Sequence, residues 1–310
     1  MYRISNFAHL LRKKIHSMNS LDGKKLAADI REELSEAVQE IKRQNGKIPH
    51  LAAVLVGEDP ASQVYVRNKV QSCEKVGFTS TLIKEEANIS EAALLEIVHR
   101  LNNDPDIDGF IVQLPLPRHI DEEKITLAIR PEKDVDGFHP VNFGRMAQGL
   151  PCYLPATPAG ILEIIRRYQL PTEGKEVVVI GRSNIVGTPI SILLSRKDYP
   201  GNATVTICHS RTPDISAHTR RADILVAAIG KPEFVTADMV KEGVVVIDVG
   251  INRVEDPNSK SGYRLCGDVD FESVSKKASW ITPVPGGVGQ LTVVSLLMNT
   301  LKASKKEVYV

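Results

Sequence analysis

Tyr65, Lys69 and Gln113 are side chains whose types and spacing suit proton transfer. Tyr65 and Lys69 stand four residues apart, so a helix would present both on one face. A lysine exchanges protons near neutral pH when burial or neighbouring groups lower its pKa. Gln113 stands at the carboxyl end of the apolar segment 109–114, where parallel sheets bind ligands. A surface Tyr–Lys pair at helical spacing is the plain alternative, and the pair alone does not decide between the two.

Two further segments carry groups that suit a polar ligand. The sequence Lys-Asp-Val-Asp-Gly at 133–137 places Asp134 and Asp136 in an irregular stretch, 130–158, that is rich in Pro, Gly and Asp. The sequence Thr-Pro-Val-Pro-Gly-Gly-Val-Gly at 282–289 predicts a rigid turn that a ligand can approach closely.

A glycine turn follows the apolar segment 177–181 and precedes a predicted helix start. Dinucleotide pyrophosphates bind at such a turn, on backbone N–H groups and the helix N-terminus. Ser183 holds the position of the middle glycine and adds a hydroxyl group, while an ordinary tight turn is the alternative interpretation. The Tyr65–Lys69 pair precedes this turn, an order that excludes the short-chain dehydrogenases, in which the pair follows it.

The end of the next predicted strand, 204–208, favours NADP over NAD. An acidic residue at this position would hold the ribose 2′-OH of NAD, whereas an arginine favours the 2′-phosphate of NADP. The strand continues instead into His-Ser-Arg-Thr at 209–212, and Arg182 lies in the glycine turn. We therefore expect NADP to contact the glycine turn through Gly181 and Ser183. We expect its 2′-phosphate to lie among Arg182, Ser210 and Arg211.

The elements that must position these groups alternate between strand and helix. Helical spacing begins near Leu26 and ends near Asn45, and a further helix begins at about Pro60. Apolar runs that predict strands, typically buried parallel ones, lie at 51–57, 109–114, 177–181, 204–208, 224–230, 244–250 and 280–284. A further strand is predicted at 80–83. A closing helix is predicted at 291–302. The pattern predicts an α/β protein of two domains, each with a parallel sheet.

The amino-acid composition of the chain argues against two classes of binding partner, nucleic acids and membranes. The chain has 310 residues, with 39 Lys and Arg against 38 Asp and Glu, so its formal net charge is +1. Nucleic-acid-binding proteins usually carry a basic excess, and a membrane span needs about 20 apolar residues, so we expect neither partner. The four cysteines are far apart and the eight histidines form no metal motif, which predicts no metal and fits a reducing cytoplasm.

Residues 1–20 call for a separate interpretation. The first 21 residues contain no acidic residue and include Arg3, Arg12, Lys13 and Lys14. A mitochondrial transit peptide is one interpretation, because such peptides are basic and poor in acidic residues. We favour an extension outside the fold, since Met18 precedes the first ordered pattern, and we expect residues 1–20 to be disordered.

Four segments in this order closely resemble the FolD family of bifunctional methylenetetrahydrofolate dehydrogenase/methenyltetrahydrofolate cyclohydrolases. They are Ala-Ser-x-x-Tyr-Val-x-x-Lys at 61–69, Val-Gln-Leu-Pro-Leu-Pro at 112–117, Lys-Asp-Val-Asp-Gly at 133–137 and the Pro/Gly turn at 282–289. The resemblance extends from Leu21 to the final helix. It departs from the family pattern at Gln290, where proline is usual, and at Leu291, where methionine is common.

The resemblance implies a role for each candidate residue. Lys69 would be the catalytic lysine, flanked by Tyr65 and Gln113, and Asp136 would hold the pterin. The folate cleft would also be lined by Val112, Leu114, Pro283, Gly286 and Gly287. Ile251 would join the NADP contacts named above.

The implied architecture is a folate-binding catalytic domain over 21–156, completed by the C-terminal helix within 290–310, and a Rossmann-type NADP domain over 157–289. The cleft would lie between them. The resemblance also implies a tetrahydrofolate substrate, a place in one-carbon metabolism and a homodimer. Two alternatives stay open at this point: a monofunctional dehydrogenase without cyclohydrolase activity, and a non-catalytic NADP-binding regulator.

Overall fold

The computed structural model describes residues 18–259 and 262–309, and it has two parallel sheets and one hairpin. The strands are β1 (Asn19–Ser20), β2 (His50–Val56), β3 (Thr79–Glu85), β4 (Gly109–Val112), β5 (Glu176–Ile180), β6 (Thr204–Cys208), β7 (Ile224–Ala227), β8 (Val245–Asp248), β9 (Asn252–Glu255), β10 (Tyr263–Cys266) and β11 (Trp280–Ile281). The helices are α1 (Gly23–Arg43), α2 (Pro60–Val76), α3 (Glu91–Asn103), α4 (Glu122–Ala128), α5 (Pro140–Ala147), α6 (Ala156–Arg167), α7 (Gly187–Ser195), α8 (Ile215–Thr219), α9 (Phe271–Val274) and α10 (Gly289–Ser304). A 3₁₀ turn spans Ala237–Met239.

The first sheet has three parallel strands in the order β3-β2-β4. Every residue of β4, and all of β2 after His50, is buried, because helices cover both faces of such a sheet. The chain leaves β2 toward β3 on one side and returns to β4 on the other. The carboxyl ends of β2 and β4 therefore flank a point where the strand order reverses, and open α/β sheets bind ligands there.

The second sheet has six parallel strands in the order β1-β11-β8-β7-β5-β6. Its strand order reverses between β5 and β7, so the turn after β5 faces a second potential ligand crevice. Strands β9 and β10 form a separate antiparallel hairpin. The two-domain α/β fold class predicted from the sequence is confirmed.

The predicted extension, residues 1–20, includes two residues that belong to the fold. Asn19 and Ser20 form β1, which pairs with Trp280 and Ile281 of β11. The backbone N–H of Leu21 continues the pairing by donating to the carbonyl of Ile281 at 2.9 Å. Residues 1–17, the rest of the expected extension, lie outside the described residues.

The last helix packs mainly on earlier helices of the chain rather than on the sheet that precedes it. Helix α10 packs on α1 and α6, with Leu291, Val294 and Leu297 fully buried. The side chain of Asn299, itself buried, donates to the carbonyls of Val135 and Leu154 at 2.9 Å. These bonds fix α10 against the loop that carries Asp134 and Asp136.

The described part of the chain contains no helix of the length and apolarity that crossing a bilayer requires. All four cysteines are buried free thiols.

Candidate active site

Lys69, Gln113 and Asp136 converge at the carboxyl end of β4. The Nζ of Lys69 lies 3.4 Å from Oε1 of Gln113, to which it donates a long hydrogen bond. The same atom lies 3.9 Å from Oδ2 of Asp136. The Lys69 and Asp136 side chains are 12% and 18% exposed, so both are largely withdrawn from water. An amine, an amide and a carboxylate thus meet at one ligand-accessible point.

Local hydrogen bonds orient this group. Helix α2 begins at Pro60, a residue suited to the first helical turn, and the carboxylate of Asp59 caps it by accepting the N–H of Ser62 at 2.7 Å. The Nε2 of Gln113 donates to the carbonyl of Leu114 at 2.7 Å. Because that carbonyl can only accept, the amide oxygen must face Lys69.

Asp134 shapes the loop from which Asp136 projects. It is buried, and its carboxylate accepts the N–H groups of Phe138 and His139 at 3.2 and 2.8 Å. It also accepts a bond from Nδ2 of Asn142 at 2.9 Å. Burial raises the pKa of Asp134 to about 7 despite these bonds. Asp134 therefore organises the loop, while Asp136, two residues on, faces Lys69.

A cavity of about 210 Å³ lies between α2, which carries Lys69, and the segments that follow β8 and β11; Lys69, Gln113 and Asp136 do not line it. Tyr65, which is 53% exposed, lines it from α2. The expected residues that share this lining are Ile251, Pro283, Gly286 and Gly287. Among the described residues, Val112 and Leu114 are not part of this lining; Val112 is buried in β4. The structure thus brings Tyr65 and the Pro/Gly turn together, with Ile251 at the same opening.

The first residue of α1 must be a glycine, because the helix begins directly against the Pro/Gly turn. A Cβ on Gly23 would lie 2.1 Å from the carbonyl oxygen of Gly287. The N–H of Lys24 donates to the carbonyl of Gly286 at 2.9 Å. The turn is therefore fixed from the other end of the chain, which accounts for its rigidity.

The turn after β5 also depends on close backbone approach. A Cβ on Gly181 would lie 2.2 Å from the carbonyl oxygen of Ala228, and one on Gly187 would lie 2.2 Å from that of Gly181. The hydroxyl oxygen of Ser183 accepts the N–H groups of Val186 and Gly187 at 3.2 and 3.4 Å. Ser183 thus organises the start of α7, and its hydroxyl hydrogen stays free to donate to an anion.

A second cavity, of about 290 Å³, opens over this turn. Gly181, Arg182, Ser183 and Ser210 line it, as expected from the sequence. Lys231, which sequence reasoning did not single out, adds a second cation, and none of the described lining residues is acidic. Arg211 is exposed and does not belong to this lining in the described part of the chain. The cavity combines a glycine cradle with cations, which fits a phosphorylated nucleotide.

Two buried aspartates, which sequence reasoning also missed, hold the loops around these cavities. The carboxylate of Asp268 accepts the N–H groups of Ile229, Gly230 and Lys231 at 2.7–2.9 Å. Asp248 accepts the N–H groups of Gly250, Asp268 and Val269 at 2.9–3.0 Å. Burial raises the pKa of Asp248 to about 7. An acidic residue at the end of a buried strand, as at Asp248, is the signal that could have indicated this role.

Comparison with known families decides what this arrangement is. Residues 21–136 match the family model described as "Tetrahydrofolate dehydrogenase/cyclohydrolase, catalytic domain", and residues 155–308 match its "NAD(P)-binding domain". The chain belongs to the tetrahydrofolate dehydrogenase/cyclohydrolase family. The resemblance inferred from the four sequence segments is confirmed, and so is the expectation of an enzyme with a nicotinamide-nucleotide domain.

Relatives of this family match almost the whole chain. A Flavobacterium johnsoniae protein named "Bifunctional protein FolD" is 60% identical over 288 residues, which are 93% of this chain and 98% of that protein. The crystal structure of bifunctional FolD from Campylobacter jejuni is 47% identical, covers 94% of this chain and 99% of its own, and has a TM-score of 0.88. The Trypanosoma brucei enzyme, solved with NADP cofactor and inhibitor, is 40% identical with the same coverage and TM-score.

Proposed function

We propose that this chain oxidises 5,10-methylenetetrahydrofolate with NADP and hydrolyses the product to 10-formyltetrahydrofolate. The observation that carries the proposal is the position of the Lys69 Nζ, between the amide of Gln113 and the carboxylate of Asp136 at the edge of the cleft. Family membership supports both reactions, because the family unites dehydrogenase and cyclohydrolase in its description.

For the first reaction, the protein must hold the folate with its one-carbon bridge toward the nucleotide. NADP, when bound, supplies the acceptor for the hydride that leaves the bridge carbon, and a methenyl cation remains on the folate. The carboxylate of Asp136 is suited to accept hydrogen bonds from the N–H edge of the pterin. The exposed ring of Tyr65 offers a surface on which the aromatic part of the folate can stack.

For the second reaction, the protein must manage protons around the same carbon. Water adds to the methenyl carbon and loses one proton, which gives a carbinol. The carbinol oxygen then loses its second proton as the C=O bond forms and the bond from carbon to N5 breaks; N5 keeps the electron pair and takes up a proton, and the formyl group stays on N10. Lys69 is suited to hold and move the proton because its side chain is 12% exposed and reaches both polar partners. Gln113 orients the amine without adding a negative charge.

The preference for NADP over NAD rests on the cavity over the glycine turn. Arg182 and Ser210 line it, and the chain offers no acidic residue at the end of β6 to hold a ribose 2′-OH. Lys231 adds positive charge to the same cavity lining. The backbone cradle formed by Gly181 and Gly187 fits the pyrophosphate.

One spectrophotometric experiment tests both activities. Purified protein with methylenetetrahydrofolate and NADP should produce NADPH, and NAD in place of NADP should support much slower turnover. Methenyltetrahydrofolate without nucleotide should lose its absorbance faster with protein than in buffer alone. NADPH formation without accelerated methenyl decay would indicate a monofunctional dehydrogenase, and the absence of both would indicate a nucleotide-binding protein without catalysis.

The homodimer, the cytoplasmic location and the absence of nucleic-acid and membrane partners rest on the resemblance and the balanced charge. Light scattering on the purified protein would give its mass in solution and test the dimer directly. Cell fractionation would test the location.

A further inference from the structure

The described segment that follows α10 folds back over α5. The N–H of Glu307 donates to the carbonyl of Lys302 at 3.0 Å. The N–H of Lys306 donates to the carbonyl of Ala303 at the same distance, and Lys306 itself has a φ of 53°, in the left-handed region. These two bonds and this φ form a Schellman motif, which ends a helix and turns the chain that follows it. As a result, Tyr309 reaches the side chains of α5.

Tyr309 contacts three side chains at this position. Its hydroxyl donates to Oδ1 of Asn142 at 2.8 Å. Its ring centroid lies 5.8 Å from the ring centroid of Tyr153 and 4.9 Å from the guanidinium carbon of Arg145. Burial raises the pKa of the Tyr309 hydroxyl to about 12, so at neutral pH this group keeps the proton that it donates. The ring packing therefore places a hydrogen-bond donor directly on Asn142.

Asn142, the acceptor of this bond, is fully buried, and all four hydrogen-bonding positions of its amide are occupied. Its Nδ2 donates to the carbonyl of Pro131 at 3.0 Å and to Oδ2 of Asp134 at 2.9 Å. Its Oδ1 accepts the N–H of Tyr153 at 3.3 Å as well as the hydroxyl of Tyr309. Two donors thus hold the amide oxygen, and the NH₂ group must face the Asp134 carboxylate. Without the Tyr309 hydroxyl, the amide oxygen would keep only the longer of its two bonds.

Asp134 transmits this constraint to the candidate active site. Its carboxylate accepts two N–H groups of the loop at 138–139, and Asp136 projects from the same loop to within 3.9 Å of the Lys69 amine. The hydrogen bonds from Tyr309 through Asn142 to Asp134 therefore end at the loop that sets the direction of the Asp136 carboxylate.

We propose that Tyr309 is a positioning residue for the folate substrate: through Asn142 and Asp134 it holds the loop that presents Asp136 to the pterin. This proposal rests on the proposed function. A contact that keeps a binding loop in its competent arrangement raises the apparent affinity for the ligand in proportion to the competent fraction. Tyr309 touches neither Lys69 nor the nucleotide cavity, so its loss should weaken folate binding and leave the chemical step and NADP binding intact.

The kinetic test uses Tyr309→Phe, which removes the hydroxyl and keeps the ring. The KM for methylenetetrahydrofolate should rise by about three- to tenfold, the range expected for one lost hydrogen bond. The kcat and the KM for NADP should each stay within about twofold of wild type, a split that a general loss of stability does not produce. Tyr309→Ala also removes the ring packing, so it should raise the folate KM further.

Tyr199→Phe is the matched control. The Tyr199 hydroxyl donates to the carbonyls of Ile165 and Leu170 at 3.0 and 3.3 Å, near the C-terminal end of α6, so this variant loses the same group at a place without a link to the Asp136 loop. It should leave the folate KM unchanged. The same rise in Tyr199→Phe, or an unchanged folate KM in both Tyr309 variants, would overturn the proposal.

Amide hydrogen exchange tests the positioning without turnover. In Tyr309→Phe, peptides that cover 134–139 should exchange at least about threefold faster than in wild type, because Asp134 holds N–H groups of this loop. Peptides that cover 229–231, which Asp268 holds over the nucleotide cavity, should keep their wild-type rates. Equal acceleration of both segments would show a general loss of stability and overturn the proposal. Wild-type protein that fails to turn over methylenetetrahydrofolate would instead contradict the proposed function, and the exchange comparison alone would then decide whether Tyr309 holds the loop.

Discussion

Lys69 and Asp136 form a loose ion pair: the Nζ and Oδ2 atoms are 3.9 Å apart, beyond hydrogen-bond distance but close enough for attraction. A tight pair would saturate both groups. The gap instead leaves hydrogen-bonding capacity on the amine and on the carboxylate, while Gln113 restrains the amine from the other side. A bound substrate can therefore form hydrogen bonds with both the Lys69 amine and the Asp136 carboxylate.

Replacing Lys69 with methionine should abolish the cyclohydrolase reaction and leave the affinity for NADP unchanged. Methionine retains the length of the side chain but cannot move a proton, and loss of such a group usually costs about 10²–10⁴ in rate. The rate is measured as the decay of methenyl absorbance without nucleotide, after subtraction of the decay in buffer, and NADP affinity by calorimetry. Lys42→Met, an exposed lysine on α1, is the control. Undiminished hydrolysis in Lys69→Met would exclude the assigned role.

Arg182→Gln should lower kcat/KM for NADP by about 10–100-fold, the range expected when a charged hydrogen bond to phosphate is lost. The value for NAD should change little, because NAD lacks the 2′-phosphate that Arg182 is proposed to meet. Arg220→Gln removes an exposed arginine at the end of α8 and serves as the control. A parallel Arg211→Gln variant tells which arginine binds the phosphate. Equal losses for NADP and NAD in Arg182→Gln would contradict the proposed specificity.

Asp268→Asn should raise the KM for NADP by about tenfold with a smaller change in kcat, because Asp268 acts on the cofactor only through the loop it holds. Its two oxygens accept the N–H groups of Ile229 to Lys231 and the amide of Asn252. An asparagine NH₂ group would face two of these donors, and each unsatisfied buried group costs about 1–3 kcal/mol of unfolding free energy.

Asp270→Ala is the comparison variant for Asp268→Asn, because alanine removes the capping oxygen that asparagine would keep. Asp270 lies two residues on and caps α9 by accepting the N–H of Ser273 at 3.3 Å. Loss of this cap should cost about 1 kcal/mol of unfolding free energy without altering the KM for NADP. If both variants changed stability alike and neither changed the KM, Asp268 would be a purely structural residue.

Most of the strands and the positions of Lys69 and Gln113 follow from local patterns. Apolar runs predicted buried strands, and the carboxyl end of such a strand is where Gln113 was expected and is found. The spacing of Tyr65 and Lys69 required a shared helix face, and α2 supplies it. These features depend on short-range periodicity, which can be identified directly in the sequence.

Other features depend on contacts that no local pattern encodes. Asp134 and Asp136 stand in the same five-residue motif, yet one is buried and holds the loop while the other faces Lys69. Helix α5 lies within the stretch 130–158, which was predicted to be irregular. Its proline and glycine content favoured that prediction, yet Pro140 is the first residue of the helix and Gly144 lies within it. The hairpin of β9 and β10 has few apolar residues, so alternation did not reveal it.

Asp134→Asn should change how stability depends on pH. Burial raises the pKa of Asp134 to about 7, above the ordinary value near 4 that an unfolded chain would show. The folded protein therefore binds the proton more tightly, so this group's contribution to the unfolding free energy is greatest below about pH 4 and declines as pH rises to about 7. Asparagine cannot ionise, so the variant should gain stability relative to wild type over that range, by on the order of 2–4 kcal/mol.

Chemical denaturation in steps between about pH 4 and about pH 8 measures this difference. Asp238→Asn is a control of opposite sign, because the hydroxyl of Thr236 lowers the pKa of the exposed Asp238 carboxyl. Asp238 contributes stability above its ordinary pKa, near 4, and loses it only as pH falls further, so Asp238→Asn should differ from wild type by a nearly constant amount across the measured range. Asp248, whose pKa burial also raises, remains in both variants and contributes equally to each comparison. Parallel stability profiles for wild type and Asp134→Asn would show that Asp134 is ionised throughout and that its hydrogen bonds outweigh its burial.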